Sequence, residues 1–571
     1  MSLPCTSCGH LRAKKIKPGR FTPRFFIISA FWQAYDSLVP MMLVNKFGLD
    51  QTWSGFIMTL DNFLALFMLP LFGSLSDKTK TKHGKRTPYI VVGAIVAVMT
   101  FIGLTFADNA QLANVYNNQE NAVFMETLWE ENDEITNLEK NLEQNVEEKD
   151  KKITVQDYMA KIYHNKNFSE LNDTEKVSLK TTFIELIDNS KDTYDYDSKS
   201  KVYSLSPEGK TSANNIYTNV VVAARSEYAW SQTVANPTPL IVFIIILLLI
   251  LCSMATFRSP AVALMPDVTI KPLRSKGNAI INLMGAAGGI IVLVLGMIFG
   301  TGNVYNQLMS YTGMVIAVCS VMIVGLGIFI FTVKEVKWAK EMEEESIKLG
   351  IEDKVEDVDD TKEKRKLSKS EFTSLLLILA SVALWYMGYN AVTSKFSLYA
   401  STVLQQDYNS TLIIAQAAAI ISYIPVGIIA SKIGRKKSIL IGVVMLATAF
   451  ISAIFVTASS SIVFMYVIFA LAGIGWATIN VNSFPMVVEL TKGGDVGKYT
   501  GYYYTASMAA QAITPTLSGV FMDSFGTMKV LFPYAAIFVA LAFVTMFFVK
   551  HGDSVPTNEG KKGLESFDVG D

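Results

Sequence analysis

Two carboxylates lie inside long apolar segments of the chain. Asp36 stands in "SAFWQAYDSLVPMML" and Asp61 in "GFIMTLDNFLALF". A charged side chain at the centre of a hydrocarbon layer costs at least ~2.5 kcal/mol, so such residues usually have a function. Desolvation favours the neutral form of a carboxyl group. We therefore expect Asp36 and Asp61 to bind and release a cation, with a proton favoured; the alternative is a hydrogen bond to a neighbouring helix.

Aromatic and amide side chains recur in the same kind of apolar segment. Aromatic rings stack on the apolar faces of sugars, while amides and carboxylates satisfy the hydroxyl groups. We place no Lys or Arg at the middle of an apolar segment, which favours a neutral solute over an anion. Each residue alone also fits a packing role. The candidates for solute binding are Trp32, Gln33, Tyr35, Asn62, Asn282, Trp385, Tyr389, Asn390, Trp476, Asn480, Tyr503 and Gln511.

A dense basic run separates two of the apolar segments. It lies in "FGSLSDKTKTKHGKRTPYI", residues 72 to 90, and further basic loops follow near 258–276, 432–437 and 492–498. The short loops between them are nearly free of Lys and Arg. The positive-inside rule places basic loops in the cytoplasm. We therefore expect a protein of the cell membrane with both termini in the cytoplasm.

Composition supports this expectation. The 571 residues are 51% hydrophobic and 18% charged, which is more apolar and less charged than an average soluble protein. The net charge of zero gives no indication of a nucleic-acid partner. A crossing helix needs roughly 20 apolar residues, and about twelve such windows recur. The predicted segments are a cytoplasmic tail (1–23), helices one to three (24–107), an extracellular insertion (108–236), helices four to six (237–333), a cytoplasmic linker (334–371), helices seven to twelve (372–549) and a cytoplasmic tail (550–571).

The insertion at 108–236 is predicted to be mainly helical. The stretch "ETLWEENDEITNLEKNLEQNVEEK" has the apolar spacing of an amphipathic helix. A second helix is expected over 174–187, with Asp173 as its N-cap. The insertion could bind an extracellular partner, or it could be a tolerated extension of a surface loop.

The basic run carries a family resemblance. Gly73, Asp77, Lys78, Gly84, Lys85 and Arg86 resemble the loop between helices two and three of the major facilitator superfamily. A second copy has Gly427, Lys432, Gly434, Arg435 and Lys436, with Ser431 where the acid is expected. The longer form of the first copy resembles the branch of sucrose-type transporters and glycoside/pentoside/hexuronide cation symporters. The resemblance implies an all-α membrane protein of twelve transmembrane helices in two six-helix halves, here with a helical extracellular insertion.

The resemblance also implies roles for particular residues. In the family this loop is a gate latch; the alternative is that its charges only fix the topology. The gating candidates are Gly73, Asp77, Lys78, Gly84, Lys85, Arg86, Arg258, Asp267, Gly427, Arg435 and Glu489. Cation symporters of this branch carry paired acids where this chain has Ala65 and Leu69. That departure disfavours sodium coupling and favours a proton or no coupling ion.

These observations predict a monomeric secondary transporter of a small neutral solute, a sugar or glycoside, with proton symport and without a cofactor. We expect no enzymatic activity, because the chain has no Walker-type glycine loop and no zinc-protease pattern. Cys5, Cys8 and His10 form half of a zinc-ribbon spacing, and we expect a reduced tail there and no metal site. Two alternatives stay open. One is an exporter or mover of amphipathic compounds or lipids, and the other is a non-transporting receptor that uses the insertion.

Overall fold

The structure is dominated by long helices. This computed structural model describes residues 22–116, 166, 168–179, 194–197, 202–205, 229–230, 232–269, 274–302, 309–348, 368–404, 406–458, 460–488 and 496–551. Within these residues there are twelve helices of 17 to 31 residues and one shorter helix of 14 residues between the sixth and the seventh.

The helices follow the apolar segments of the sequence. In the first part of the chain they are α1 (Thr22–Met41), α2 (Gln51–Lys78), α3 (Thr87–Tyr116), α4 (Thr238–Asp267), α5 (Arg274–Phe299) and α6 (Thr312–Thr332), followed by the short helix α7 (Glu335–Lys348). In the second part they are α8 (Lys369–Tyr399), α9 (Tyr408–Ile433), α10 (Arg435–Ile454), α11 (Ile462–Val488), α12 (Val496–Ser524) and α13 (Leu531–Phe547). A π-helical turn ends α1 at Met42–Lys46 and another ends α8 at Ala400–Leu404.

Short polar side chains cap the N-termini of several helices. The Asp50 carboxylate accepts from the Trp53 N–H at 2.7 Å at the start of α2. Asp407 does the same for α9, and Ser368 forms a reciprocal capping box with Glu371 at the start of α8. These caps satisfy N–H groups that have no partner within the helix.

Two halves are packed in the same way. In the first half α1 packs on α5 and α6, α4 packs on α2 and α3, and α3 packs on α6. The second half repeats each pair, with α8 on α12 and α13, α11 on α9 and α10, and α10 on α13. Between the halves, α2 packs on α12 and α5 on α9, which is again a matched pair. The chain is therefore a pseudo-symmetric bundle of six plus six helices.

The outside of the bundle is apolar. Nine of the described helices are long and apolar enough to cross a membrane. Large apolar side chains are exposed on the outer surface, including Phe106 (72%) and Phe331 (85%). Such a surface is suited to lipid. We call the end of the bundle with residues 79–86 the basic-loop end, and the opposite end, where α3 ends at Tyr116 and α4 begins at Thr238, the insertion end.

The predicted insertion differs from expectation in three places. Its first nine residues belong to α3, which runs on to Tyr116. Within the described part, a two-stranded antiparallel hairpin, β1 (Tyr194–Asp197) and β2 (Val202–Leu205), was not foreseen. Residues 173–179 are helical, as predicted, but Asn172 is the cap and not Asp173, because Asn172 and Glu175 exchange two hydrogen bonds of 2.9 Å. The amphipathic helix predicted before residue 150 and the remainder of the helix to 187 lie outside the described residues.

Candidate functional site

An acid–base–aromatic cluster lies on the inner face of the first half. The Arg258 guanidinium lies over the Trp32 ring, with Cζ 5.7 Å from the ring centroid. Asp61 interacts electrostatically with Arg258, and Asp36 with Asp61. Asn62 donates from its side chain to Asp61 at 2.7 Å. Helices α1, α2 and α4 therefore bring both predicted coupling acids together with one base and one aromatic ring.

The position of Arg258 corrects two predictions. We had grouped Arg258 with the gating residues and had placed no base at mid-depth. Helix α4 continues through Pro260 to Asp267, and so Arg258 lies nine residues inside the helix end, about 13 Å along its axis. Proline is tolerated in such helices because neighbouring groups satisfy the freed backbone atoms. Arg258 is thus part of the central cluster, at a distance from the basic-loop end.

The facing surface of the second half is an aromatic wall. The rings of Tyr389 and Trp476 stack with centroids 3.7 Å apart and an interplanar angle of 4°. Tyr386 packs edge-on against the same Trp476 at 5.2 Å. Tyr423 and Asn480 are hydrogen-bonded nearby. This wall offers the flat apolar faces on which a sugar ring can stack.

Contacts across the pseudo-twofold axis join the two surfaces. Asp36 of α1 interacts electrostatically with Tyr389 of α8. The Gln416 side chain of α9 donates to Gln33 Oε1 at 2.6 Å, and Gln33 donates to Ser37 at 3.2 Å. The carboxylates of the first half and the aromatic wall of the second half therefore form one site.

Several candidate side chains carry donors with no protein partner. Among the described residues, these buried donor atoms are Trp32 Nε1, Tyr35 Oη, Trp385 Nε1 and Asn390 Nδ2. A buried donor without an acceptor costs about 1–3 kcal/mol. A hydroxyl-bearing solute could satisfy such groups, although Tyr35 and Trp385 are fully buried and would need the site to change shape.

The remaining solute candidates have different environments. Asn480 is exposed, Tyr503 is buried, and Gln511 is half-buried. Tyr503 accepts or donates a hydrogen bond of 2.9 Å with Ser483, which fixes its hydroxyl. Asn282 lies on α5, but its side chain is outside the described part of the chain.

The two halves meet closely at the insertion end, where a carboxylate of α12 caps α2. Asp523 accepts from the Gln51 N–H at 3.1 Å, from the Thr52 N–H at 2.7 Å and from the Thr52 hydroxyl. Buried Lys395 of α8 donates to the Gln51 carbonyl oxygen at 2.9 Å. A Cβ at Gly55 would lie 2.1 Å from the Pro515 carbonyl oxygen, so only glycine permits this approach of α2 to α12.

The matched pair α5 and α9 also closes at the insertion end. The hydroxyls of Thr301 and Tyr408 are 2.8 Å apart, and Asn409 donates to Thr301 at 3.3 Å. A Cβ at Gly302 would lie 1.9 Å from the Asp407 carboxylate. Helix pairs α2–α12 and α5–α9 thus hold this end closed, while Arg258 and Asn480 keep exposed surface nearer the basic-loop end.

At the basic-loop end, buried Arg86 is the centre of a polar network. Its Nε donates to Asp267 at 2.9 Å, its Nη1 donates to the Gly73 carbonyl oxygen at 3.2 Å, and its Nη2 pairs with Asp77. Lys85 pairs with Asp267 at 3.2 Å. Three of the gating candidates, Gly73, Asp77 and Asp267, therefore contact Arg86. Lys85 contacts Asp267, whereas Lys78 is exposed. The network ties α2, the loop before α3 and the end of α4 together.

Glu335 is a member of this network that the sequence reading missed. Its carboxylate accepts from the N–H groups of Lys85 at 2.7 Å, Arg86 at 2.9 Å and Thr87 at 2.8 Å. It therefore caps α3 from the first residue of α7. Gly84 has φ +112° and passes so near Glu335 that a Cβ would lie 2.2 Å from the carboxyl carbon. An acid directly after an apolar segment was the available signal, but it resembled a solvated linker.

The second copy of the motif lies at the matching junction of α9 and α10. Gly434 has φ +92° and separates the two helices, and Arg435 begins α10. Lys436 donates to the carbonyl oxygens of Phe547, at 2.9 Å, and Val549. Lys436 on α10 thus caps the C-terminal end of α13. At the matching junction of the first half, the acid Glu335 after α6 caps the N-terminal end of α3. Gly427 lies on α9, and Glu489 is outside the described residues.

Comparisons with known proteins agree with this architecture. The family model described as Major Facilitator Superfamily matches residues 406–569 in the second half. The model described as MFS/sugar transport protein matches residues 27–120 in the first half.

Solved transporters share the fold. The xylose transporter XylE from E. coli, in an inward open conformation, is 12% identical, with a TM-score of 0.52 over 95% of this chain and 97% of that chain. A mutant of the peptide transporter POT in complex with alafosfalin is 10% identical, with a TM-score of 0.51 over 93% of this chain and 92% of that chain. At such identities the likeness shows the fold alone.

Two pseudo-symmetric helical halves around a central polar site define a multi-pass membrane transporter. Models of major facilitator and sugar-transport proteins thus match a segment of each half, in agreement with the resemblance of the basic motif.

Proposed function

We propose that this transporter moves a small neutral solute, a sugar or glycoside, by alternating access coupled to proton symport. The charge of the central cluster carries the proposal. With both carboxylates ionised, Asp36, Asp61 and Arg258 would carry one net negative charge, since Arg258 acts on Asp61 and Asp61 on Asp36. One proton cancels that charge, and desolvation favours such neutralisation. If a neutral solute enters together with one proton, the occupied site has no net charge when it closes.

The aromatic wall supports a sugar as the solute. Tyr389 and Trp476 present a flat stacked surface within electrostatic range of Asp36. Trp32, Tyr35 and Asn390 carry donors that sugar hydroxyls can accept. The family model that matches the first half is a sugar-transport model, which favours the same class.

The distribution of contacts supports alternating access. The insertion end is held by Asp523, Lys395 and the Thr301–Tyr408 contact, all of which bridge the halves. The Arg86 network instead joins elements of the first half and α7. In this proposal the basic-loop end faces the cytoplasm together with both termini, the insertion is extracellular, and the working unit is a monomer.

Solute-induced proton uptake in proteoliposomes tests the proposal. Monosaccharides, disaccharides and their methyl glycosides are added outside, and external pH is followed with a dye. An alkaline shift with one solute, absent from protein-free liposomes, is expected. Absence of a shift with every sugar, in liposomes whose protein is correctly inserted, would contradict sugar–proton symport and favour amphipathic solutes or a receptor role.

A further inference from the structure

An apolar cavity lies beside the central cluster. It has a volume of about 230 Å³ and opens between α1, α4 and α5. Most of its lining side chains are aliphatic or aromatic, and one carries a hydroxyl. Phe25 and Met265 contribute to this lining, and the residues used below are Ser29, Val262, Ile281 and Gly285.

The cavity continues directly from the site. Ser29 precedes Trp32 by three residues on α1, and Val262 follows Arg258 by four residues on α4. Residues three and four apart share one face of a helix. Because the Arg258 guanidinium lies over the Trp32 ring, the cavity begins one turn below that contact, toward the basic-loop end.

Helix packing keeps this cavity at its present shape. A Cβ at Gly285 would lie 2.8 Å from the Ser29 hydroxyl, so a larger residue would push that side chain. Ile281 is 5% exposed and forms part of a firm wall, whereas Val262 is 50% exposed and lies at the mouth. A substitution at Val262 can therefore change access to the cavity with little effect on the packed core.

The volume and lining indicate which group fits. An apolar protein cavity of about 150 Å³ is large enough to bind benzene. A space of about 230 Å³ can therefore hold a phenyl group or a short alkyl chain. We propose that it is an apolar subsite of the solute site, which takes a phenyl-sized apolar substituent while the polar part of the solute lies at Trp32 and Arg258. The inference rests on the proposed function only in taking that polar part to be a sugar.

Thiol labelling tests the cavity without any sugar. The variant Ser29→Cys, in lipid nanodiscs, is treated with benzyl methanethiosulfonate or with its trimethylammonium-ethyl analogue, and modification at residue 29 is read by mass spectrometry. We expect the benzyl reagent to react about tenfold faster than the charged one. Adding Val262→Phe should remove most of that advantage. Ile245→Phe is the matched control, because Ile245 is equally exposed, at 53%, on the same helix but far from the cavity.

Glycoside binding then tests the solute. Calorimetry compares methyl and phenyl glycosides of glucose, galactose and xylose on the full chain in nanodiscs. For the sugar that binds, the phenyl form should bind about tenfold more tightly or better, and Val262→Phe should abolish the difference.

The outcomes separate the two proposals. Equal affinity of methyl and phenyl forms would overturn the apolar subsite and leave sugar transport standing. Selective benzyl labelling with no glycoside bound would overturn the sugar proposal and retain the subsite for a solute with another polar group. Absence of selective labelling would overturn the subsite in either case.

Discussion

Replacing Asp523 by Asn should loosen the insertion end. The carboxylate of α12 accepts three hydrogen bonds from the first two residues of α2, which belong to the other half. The Asn side chain keeps one acceptor oxygen but loses the charge opposite the N-terminus of α2. Its N–H₂ group faces N–H and O–H donors and cannot accept from them. Hydrogen bonds to charged groups contribute about 1.5–3 kcal/mol each. Because Asp523 is exposed, we take the net loss as about 1 kcal/mol.

That loss corresponds to an approximately fivefold shift toward the conformation open at this end. Electron–electron resonance between spin labels at Ala113 and Ser461, both exposed at the insertion end of opposite halves, measures the two distance populations. Asp50→Asn is the matched control: it removes the same charge beside Lys395, but Asp50 caps its own helix and Asn caps equally well. Equal populations in the two variants would refute the role of Asp523 in holding the insertion end closed.

Two other predictions concern stability. Gly84→Ala should lower the unfolding temperature, because φ is +112° and the new Cβ would meet Glu335; Gly526→Ala, at φ +62° with no atom nearby, should be milder, and equal effects in a thermal-shift assay would contradict the contact. Lys46 and Asp108 form a fully buried ion pair. Lys46→Met should cost about 3–5 kcal/mol, and adding Asp108→Leu should restore much of it in denaturant unfolding; a double variant worse than the single would contradict this reasoning.

The sequence was sufficient for the scaffold because membrane thickness fixes how long an apolar segment must be. It also indicated the partners of Arg86, since the resemblance placed Asp77 and Asp267 at the same end of the bundle. Arg258 was misplaced because the predicted span stopped before Pro260, where the real helix continues. That error hid the base that interacts electrostatically with Asp61.

Partners between distant segments could not be read from local patterns. Lys46 and Asp108 are 62 residues apart, and each stood at the edge of a predicted span. Lys395 lies inside α8, which was a usable signal, but we had placed no Lys or Arg at the middle of an apolar segment. Its partners are the backbone carbonyl and the side-chain oxygen of Gln51, 344 residues away, and no local pattern reveals them.

The most direct test concerns the role of Asp36 as the proton carrier. Once a transported solute is known, accumulation driven by a pH gradient and exchange of solute at equal concentrations are measured for the wild type and for Asp36→Asn. Exchange requires only that the solute site opens alternately to the two sides of the membrane. Accumulation also requires a group that binds and releases a proton. We predict that the variant keeps exchange and loses accumulation. Accumulation at the wild-type level in Asp36→Asn would contradict proton coupling through this residue.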